Sequence, residues 1–180
     1  MLTLIAHLKL LWYGLLVLLA TAFITLCIAN SETLAAIRIK LLDGQTDRMD
    51  RKLPLIMSAG EELPDYRAEI LIQDHWHEVG TIPNSSARDW LSYHLSDQPN
   101  ALLVQRLRIV EDDKLSDDLV DEVSVVGDTA QGTVFTYAFE HSASFKAGMD
   151  WFAGTALGKT IFTAIGIAVL LAVLAHLPIG

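Results

Sequence analysis

A five-residue run at 74–78, Asp-His-Trp-His-Glu, is the densest group of side chains that could do chemistry. In a strand, His75 and His77 would point to one face and the flanking carboxylates to the other. Two imidazoles at that spacing could bind zinc or copper if the fold brought in a third ligand, such as His94 or His141. The favoured interpretation is an exposed hairpin end with Trp76 packed on a sheet, so no metal or other cofactor is predicted.

Other familiar chemical signatures are missing from the sequence. The acidic run at 111–122 lacks the spacing and turn glycine of an EF-hand, and it is interpreted as a solvated face. There is no G-x-S-x-G motif, and the single cysteine, Cys27, lies in an apolar block. Gly127 and Gly132 have the spacing of a phosphate loop, but the Lys-Ser/Thr that should follow is absent. No catalytic residue is predicted.

An uncharged apolar block of 20 residues, Leu10–Ala29, lies near the start of the chain. As a helix it would be about 30 Å long, which matches the hydrocarbon core of a bilayer. Trp12 and Tyr13 stand at its N-terminal end, where amphipathic rings favour the headgroup level. A cleaved signal peptide is the alternative, but its apolar region would hold only about 7–15 residues. Residues 1–30 are therefore predicted to be a transmembrane anchor.

A second uncharged apolar block covers residues 160–177. The residues from Trp151 to Lys159 lead into it without a proline, so residues 151–180 are predicted to form a C-terminal transmembrane helix. A buried helix in the core of a soluble domain is the alternative. The two spans would place both ends of the chain on one side of the membrane and residues 31–150 on the other.

Small residues recur at four-residue spacing through this second block, which predicts a helix-packing interface. In lipid, such rows let helix backbones approach closely, and plain composition is the alternative explanation. The interface could face the first helix, a second copy of the chain or another integral membrane protein. The predicted interface residues are Gly154, Ala156, Gly158, Thr160, Ala164, Ala168 and Ala172.

The middle segment, 31–150, is strongly acidic. It holds all 22 acidic residues of the chain and 11 basic ones, for a formal charge of −11. Because such a surface repels phosphate backbones, nucleic acid is excluded as a partner.

Alternating apolar and polar residues predict strands in the middle segment. They lie at residues 37–41, 66–72, 76–82, 101–110, 122–126 and 133–139, the last two as a hairpin. Asn84 or Ser85 could cap a helix that begins near Ser86, whose spacing to Asp89 resembles a capping box, and ends near Leu95. Residues 114–121 are expected to form a helical turn. The predicted fold class is α+β: two transmembrane helices flanking a small, mainly antiparallel sheet domain with one or two short helices.

The side of the membrane on which the domain lies is predicted from the order of residue types in the first segment. A short basic start, an apolar block and a polar flank at 30–32 have the order of a signal anchor, and long loops cross membranes largely regardless of charge. Neither end of the chain is long enough for a cytoplasmic domain. The prediction is a two-pass protein of the bacterial inner membrane with an extracytoplasmic domain.

Three functions from different classes fit these features. The favoured one is a non-enzymatic accessory or assembly subunit, whose membrane-proximal domain binds a partner membrane protein or complex. The second is a membrane-anchored metal-binding protein or enzyme that uses His75 and His77. The third is an envelope sensor or regulator, disfavoured because no output domain is expected.

Overall fold

The computed structural model of the chain describes residues 2–47, 63–112 and 117–174. The chain divides into two compact units, Thr33–Ser142 and Met1–Glu32 with Ala143–Gly180. The predicted fold class is confirmed: two long apolar helices, one towards each end of the chain, flank antiparallel sheets.

The helical unit contains α1 (Leu2–Ala29), α2 (Phe145–Gly154) and α3 (Ala156–Leu174). The less exposed side chains of α3 recur every three or four residues, which is the spacing of a seam between two packed helices. They are Gly158, Ile161, Ile165, Ala168 and Ala172. A cluster of three aromatic rings joins the helices, with Phe23 of α1 lying 5.0 Å from Phe152 and 5.6 Å from Phe162.

The apolar spans Leu10–Ala29 in α1 and Ala156–Val173 in α3 contain 20 and 18 residues. Each is long and apolar enough to cross a bilayer core of about 30 Å. Only 6% of the first span and 11% of the second are buried within the chain. A core helix of a soluble protein would be mostly buried, so these two helices direct apolar side chains outward. The predicted segment at 175–180 lies outside the described residues.

The helical conformation is interrupted between α2 and α3 at Thr155, whose backbone is extended with φ −86° and ψ 153°. The Thr155 hydroxyl donates to the Phe152 carbonyl and accepts from the Gly158 amide, both at 3.0 Å. This capping begins a new helix, so the continuous helix expected from Trp151 onward is two helices. Gly154 and Gly158 consequently lie on different helices.

The strand unit is a sandwich of two four-stranded antiparallel sheets. Its strands are β1 (Glu32–Leu41), β2 (Tyr66–Ile72), β3 (His75–Ile82), β4 (Leu91–His94), β5 (Val104–Glu111), β6 (Asp118–Ser124), β7 (Thr129–Gln131) and β8 (Phe135–Ala143), with a 3-10 turn at Ala101–Leu103. The order is β4-β1-β8-β7 in the first sheet and β3-β2-β5-β6 in the second.

Both sheets contribute to one hydrophobic core. Tyr66 on β2 meets Phe135 on β8 edge to face, with ring centroids 5.4 Å apart. Such pairs add about 0.5–1.5 kcal/mol beyond the burial of their area. The Tyr93 hydroxyl on β4 donates to the Tyr66 carbonyl at 3.0 Å, and burial raises the pKa of Tyr93 so that it stays a donor. The core therefore joins the sheets by rings and by a buried hydrogen bond.

The helix predicted to begin near Ser86 is wrong, because residues 91–94 are the strand β4. The Ser86 hydroxyl donates to the Asp47 carboxylate at 2.6 Å, and the Ala87 amide donates to the same group at 2.8 Å. These capping groups are thus satisfied by a residue distant in sequence. Residues 91–94 pair with β1 instead, and the second sheet covers the face that the helix was expected to cover.

Two predictions in the second half of the domain are also wrong. Residues 118–121 belong to the strand β6 rather than to a helical turn, while 114–116 lie outside the described residues. The hairpin predicted between 122–126 and 133–139 does not form, because β6 and β8 belong to different sheets. The short strand β7 lies between them in sequence and pairs with β8.

A buried carboxylate, Asp121 on β6, links the two sheets. Its oxygens accept backbone amides from Thr133 at 3.0 Å, Val134 at 3.2 Å and Phe135 at 3.0 Å, and the Tyr137 hydroxyl at 3.0 Å. Burial opposes the charge, but the hydrogen bonds outweigh it and hold the pKa of Asp121 below its ordinary value. Asp121 is therefore an ionised acceptor inside the fold.

We predict that Asp121→Asn destabilises the full chain in detergent by about 3 kcal/mol, because an amide cannot accept from all of these buried donors. The lowered pKa makes the carboxylate stabilising above its unfolded pKa, about 3.9. That stabilisation is lost as the pH falls through the lower folded pKa. The free energy of unfolding of the variant should therefore change less with pH in the acid range than that of the original protein. Urea unfolding followed by tryptophan fluorescence at several pH values measures both effects.

The matched control is Glu122→Gln, one residue further along β6. Glu122 forms an exposed ion pair with Arg106 at 2.8 Å, and its loss should cost less than about 1 kcal/mol. Equal destabilisation by the two variants would contradict the structural role of Asp121.

Candidate interaction surfaces

The histidine pair lies at the tip of the β2–β3 hairpin, as its sequence indicated. His75 and His77 are exposed on β3, the outer strand of the second sheet, and pair across the ladder with Ile72 and Ile70. A nitrogen of His75, Nδ1, lies 2.9 Å from the Gln73 carbonyl. The hairpin therefore presents two accessible imidazoles on an edge strand, which is hydrogen-bonded within its sheet to β2.

The third ligands considered for a metal lie on the other sheet. His94 is on β4, and His141 is on β8, where its Nε2 lies 3.7 Å from Asp128. In the residues described, no three His, Cys, Asp or Glu side chains come together in a way that could hold a metal ion. The described geometry therefore gives a metal at His75 and His77 no third protein ligand.

The outer face of the second sheet carries a network of ion pairs. Arg67 contacts Glu69 at 3.0 Å, Asp112 at 3.0 Å and Asp117. Arg108 donates to the other oxygen of Glu69 at 2.6 Å. Glu69 therefore joins the arginines of two neighbouring strands.

Trp76 packs on this network, because the Arg108 guanidinium lies 4.2 Å from its ring centroid. Trp76 therefore contacts the sheet through a cation–π pair.

The solvated face predicted for the acidic run at 111–122 is wrong for two of its members. Glu111 is 5% exposed and Asp121 is 4% exposed. Amide and hydroxyl donors compensate for the burial of Asp121, and no sequence spacing announces them. Asp113 lies outside the described residues.

A partly exposed arginine–tryptophan pair lies at the first sheet, with the arginine on β1 and the tryptophan just before β4. The Arg38 guanidinium on β1 lies 5.1 Å from the Trp90 ring centroid and 3.6 Å from Glu140. Trp90 is 39% exposed, and tryptophan and arginine are over-represented among residues that dominate binding at protein interfaces. Trp90 falls within the helix predicted from near Ser86 to near Leu95, so this surface was not predicted from the sequence. The alternation of Leu91 and Tyr93 was the available signal for a strand.

The predicted small-residue interface is divided between two environments. Ala168 is 3% exposed and Ala172 is half-buried, and both lie on the seam of α3. Gly158 is buried beside the Phe152 carbonyl, so an added Cβ there would overlap the main chain. The exposed members are Gly154, Ala156, Thr160 and Ala164. Only this exposed part is free to meet another helix.

A shallow groove runs along the exposed side of α1. Small and branched side chains form it, including Gly14, Thr21, Ala22 and Thr25. The Thr21 hydroxyl donates to the Val17 carbonyl at 2.9 Å, so its polar group is satisfied within the helix. The groove is therefore compatible with an apolar surrounding.

No family model matches the chain, and no curated protein matches it. Among solved structures it is similar to that of the paired C2 domains, A and B, of Extended-Synaptotagmin 2, with 8% identity and a TM-score of 0.28. The match covers 59% of this chain and 42% of that one, so the chain spans less than half of that protein's structure. A likeness of this size carries no argument about fold or function.

We predict that the double variant His75→Ala with His77→Ala keeps the stability and metal content of the original protein. Both side chains are exposed, and exposed substitutions usually change stability by less than about 0.5 kcal/mol. Elemental analysis and thermal unfolding of the purified protein measure the two quantities. Stoichiometric zinc or copper that disappears in the double variant would instead establish a metal site.

Proposed function

We propose that the protein is a non-enzymatic accessory or assembly subunit of an integral membrane complex. Its two apolar helices anchor it, and its acidic sandwich binds the exposed part of a partner membrane protein. The observation that carries the proposal is the outward direction of the apolar side chains on α1 and α3, of which 6% and 11% are buried. Helices of that kind need lipid or another apolar helix around them.

The exposed half of the small-residue row supports a helix partner. Thr160 and Ala164 lie one turn apart and are both exposed, while Ala168 is already used within the chain. The Thr160 hydroxyl donates to the Ala156 carbonyl at 2.9 Å, so the row presents no unsatisfied polar group to lipid. A partner backbone could approach closely along this strip.

The sandwich offers a second contact for the same partner. Trp90 is exposed just before β4, and Arg38 on β1 is partly exposed beside it, in a domain whose charge is otherwise strongly negative. An arginine stacked on a tryptophan is a preorganised interface contact, because the ring already fixes the guanidinium. This surface supports protein binding over the two-histidine alternative.

We further propose a two-pass topology in a bacterial inner membrane, with the sandwich on the extracytoplasmic side. The support is the signal-anchor order of the first segment, because long loops are exported largely regardless of charge.

The topology predicts equal labelling of cysteines at two exposed positions of the sandwich, Thr81→Cys and Ser124→Cys. An impermeant thiol reagent added to spheroplasts should label both. The native Cys27 is buried and serves as the unlabelled background. Labelling of only one position would contradict the hairpin, and labelling of both only after lysis would move the domain to the cytoplasmic side.

The partner interface predicts that Thr160→Leu with Ala164→Leu weakens association. The added bulk blocks close approach, while leucine keeps the helix apolar enough to insert. Crosslinking and co-purification from native membranes, at matched expression, should show loss of the partner.

The matched control is Thr163→Leu with Gly166→Leu. Both residues are exposed on another side of α3, and a Cβ at Gly166 meets no atom within 4 Å. Retention of the partner by both double variants would refute the interface, and the accessory-subunit proposal would lose its main support.

A further inference from the structure

The short helix α2 has three different sides. Ala147, Gly148 and Phe152 are buried within the helical unit. Lys146 and Asp150 form an exposed ion pair at 4.0 Å. Two large apolar side chains are exposed on the third side, Phe145 at 47% and Met149 at 39%. A soluble helix would gain by burying that third side or by making it polar.

The contact between Phe23 and Phe162 sets the level of α3 beside α1. Phe23 lies near the end of α1 and Phe162 near the start of α3, and their rings lie 5.6 Å apart. Because the seam of α3 continues to Ala172, well past this contact, α3 must run back along α1 in the opposite direction. Six residues after Phe23 is Ala29, and six residues before Phe162 is Ala156. Since both helices rise about 1.5 Å per residue, α3 begins at the level where α1 ends.

Both ends of α2 lie at that same level. At its start, the Ser144 amide donates to the Ser31 carbonyl at 2.8 Å. At its end, Thr155 leads directly into Ala156, the first residue of α3.

Along its length, α2 contacts the last turn of α1. Gly148 lies so close to the Cys27 carbonyl that a side chain there would overlap it. If α2 continued the axis of α3, Gly148 would be about 12 Å past the end of α1. Since both ends of α2 lie at the level where α1 ends, the helix lies across the end of α1 instead of extending α3.

We propose that α2 is an interfacial helix that lies in the plane of the membrane surface. It places Phe145 and Met149 at the boundary between phospholipid headgroups and acyl chains. This inference rests on the membrane insertion proposed above. The occupant of the exposed apolar side is lipid, because α2 lies at the level where the two apolar spans, Leu10–Ala29 and Ala156–Val173, meet the membrane surface. Lys146 and Asp150 balance in charge, so the contact needs no anionic lipid.

The test uses nitroxide labels on single cysteines in a Cys27→Ala background. The full chain is reconstituted in phosphatidylcholine vesicles, and collisions with oxygen and with a water-soluble nickel chelate report depth. Met149→Cys is compared with Asp150→Cys, which is one residue away and about 100° around the helix. We expect the label at 149 to lie about 5–10 Å below the phosphates and the label at 150 to lie in water.

A third label, Val169→Cys, separates this inference from the proposed function. Val169 is 46% exposed near the middle of α3 and should lie deep in the bilayer. A lipid position at 169 with equal water exposure at 149 and 150 would overturn the interfacial helix and leave membrane insertion intact. Water exposure at 169 would refute membrane insertion, and the interfacial helix with it.

Discussion

The Asp121 carboxylate is the interaction on which the sandwich depends most. It lies on β6 of one sheet and accepts three consecutive backbone amides, those of Thr133, Val134 and Phe135, at the start of β8 in the other. Those amides would otherwise be buried without partners where the chain turns from β7 into β8. These hydrogen bonds keep the carboxylate ionised, although burial alone would favour its neutral form.

The neighbours of Asp121 follow from that arrangement. Gly132 must lack a side chain, because a Cβ there would overlap the carboxylate. Tyr137 donates its hydroxyl to the same group, and burial, together with the charge of Asp121, raises the pKa of Tyr137. Its ring in turn packs near Phe135, with centroids 6.2 Å apart. One buried charge thereby sets the position of a turn and the orientation of the core aromatic residues.

The sequence predicted those elements whose cause is local. Apolar length alone identifies α1 and α3, and period-two alternation identifies β2, β3 and β5. The errors lie where a distant residue changes the outcome. Ser86 lies in a sequence pattern typical of a helix cap, but its hydroxyl donates a hydrogen bond to Asp47, which is 39 positions away in the sequence. From its sequence Asp121 was predicted to be a solvated surface residue, whereas in the structure backbone amides of the residues that lead into β8 donate to it. No pattern within a short window contains that information, because loop closure brings these partners together.

The small-residue row of α3 shows the same limit within a single helix. A strict spacing of four advances by about 40° at each step on a helix with 3.6 residues per turn. The row therefore cannot face one neighbour along its whole length. Its later members, Ala168 and Ala172, turn into the seam of α3, while Thr160 and Ala164 remain outside. The spacing identifies the row of small residues. It does not show which members are buried within the chain and which are exposed, because that depends on where α1 packs. Once that seam is fixed, the same drift that ends the intramolecular contact leaves a strip of small residues for an intermolecular one.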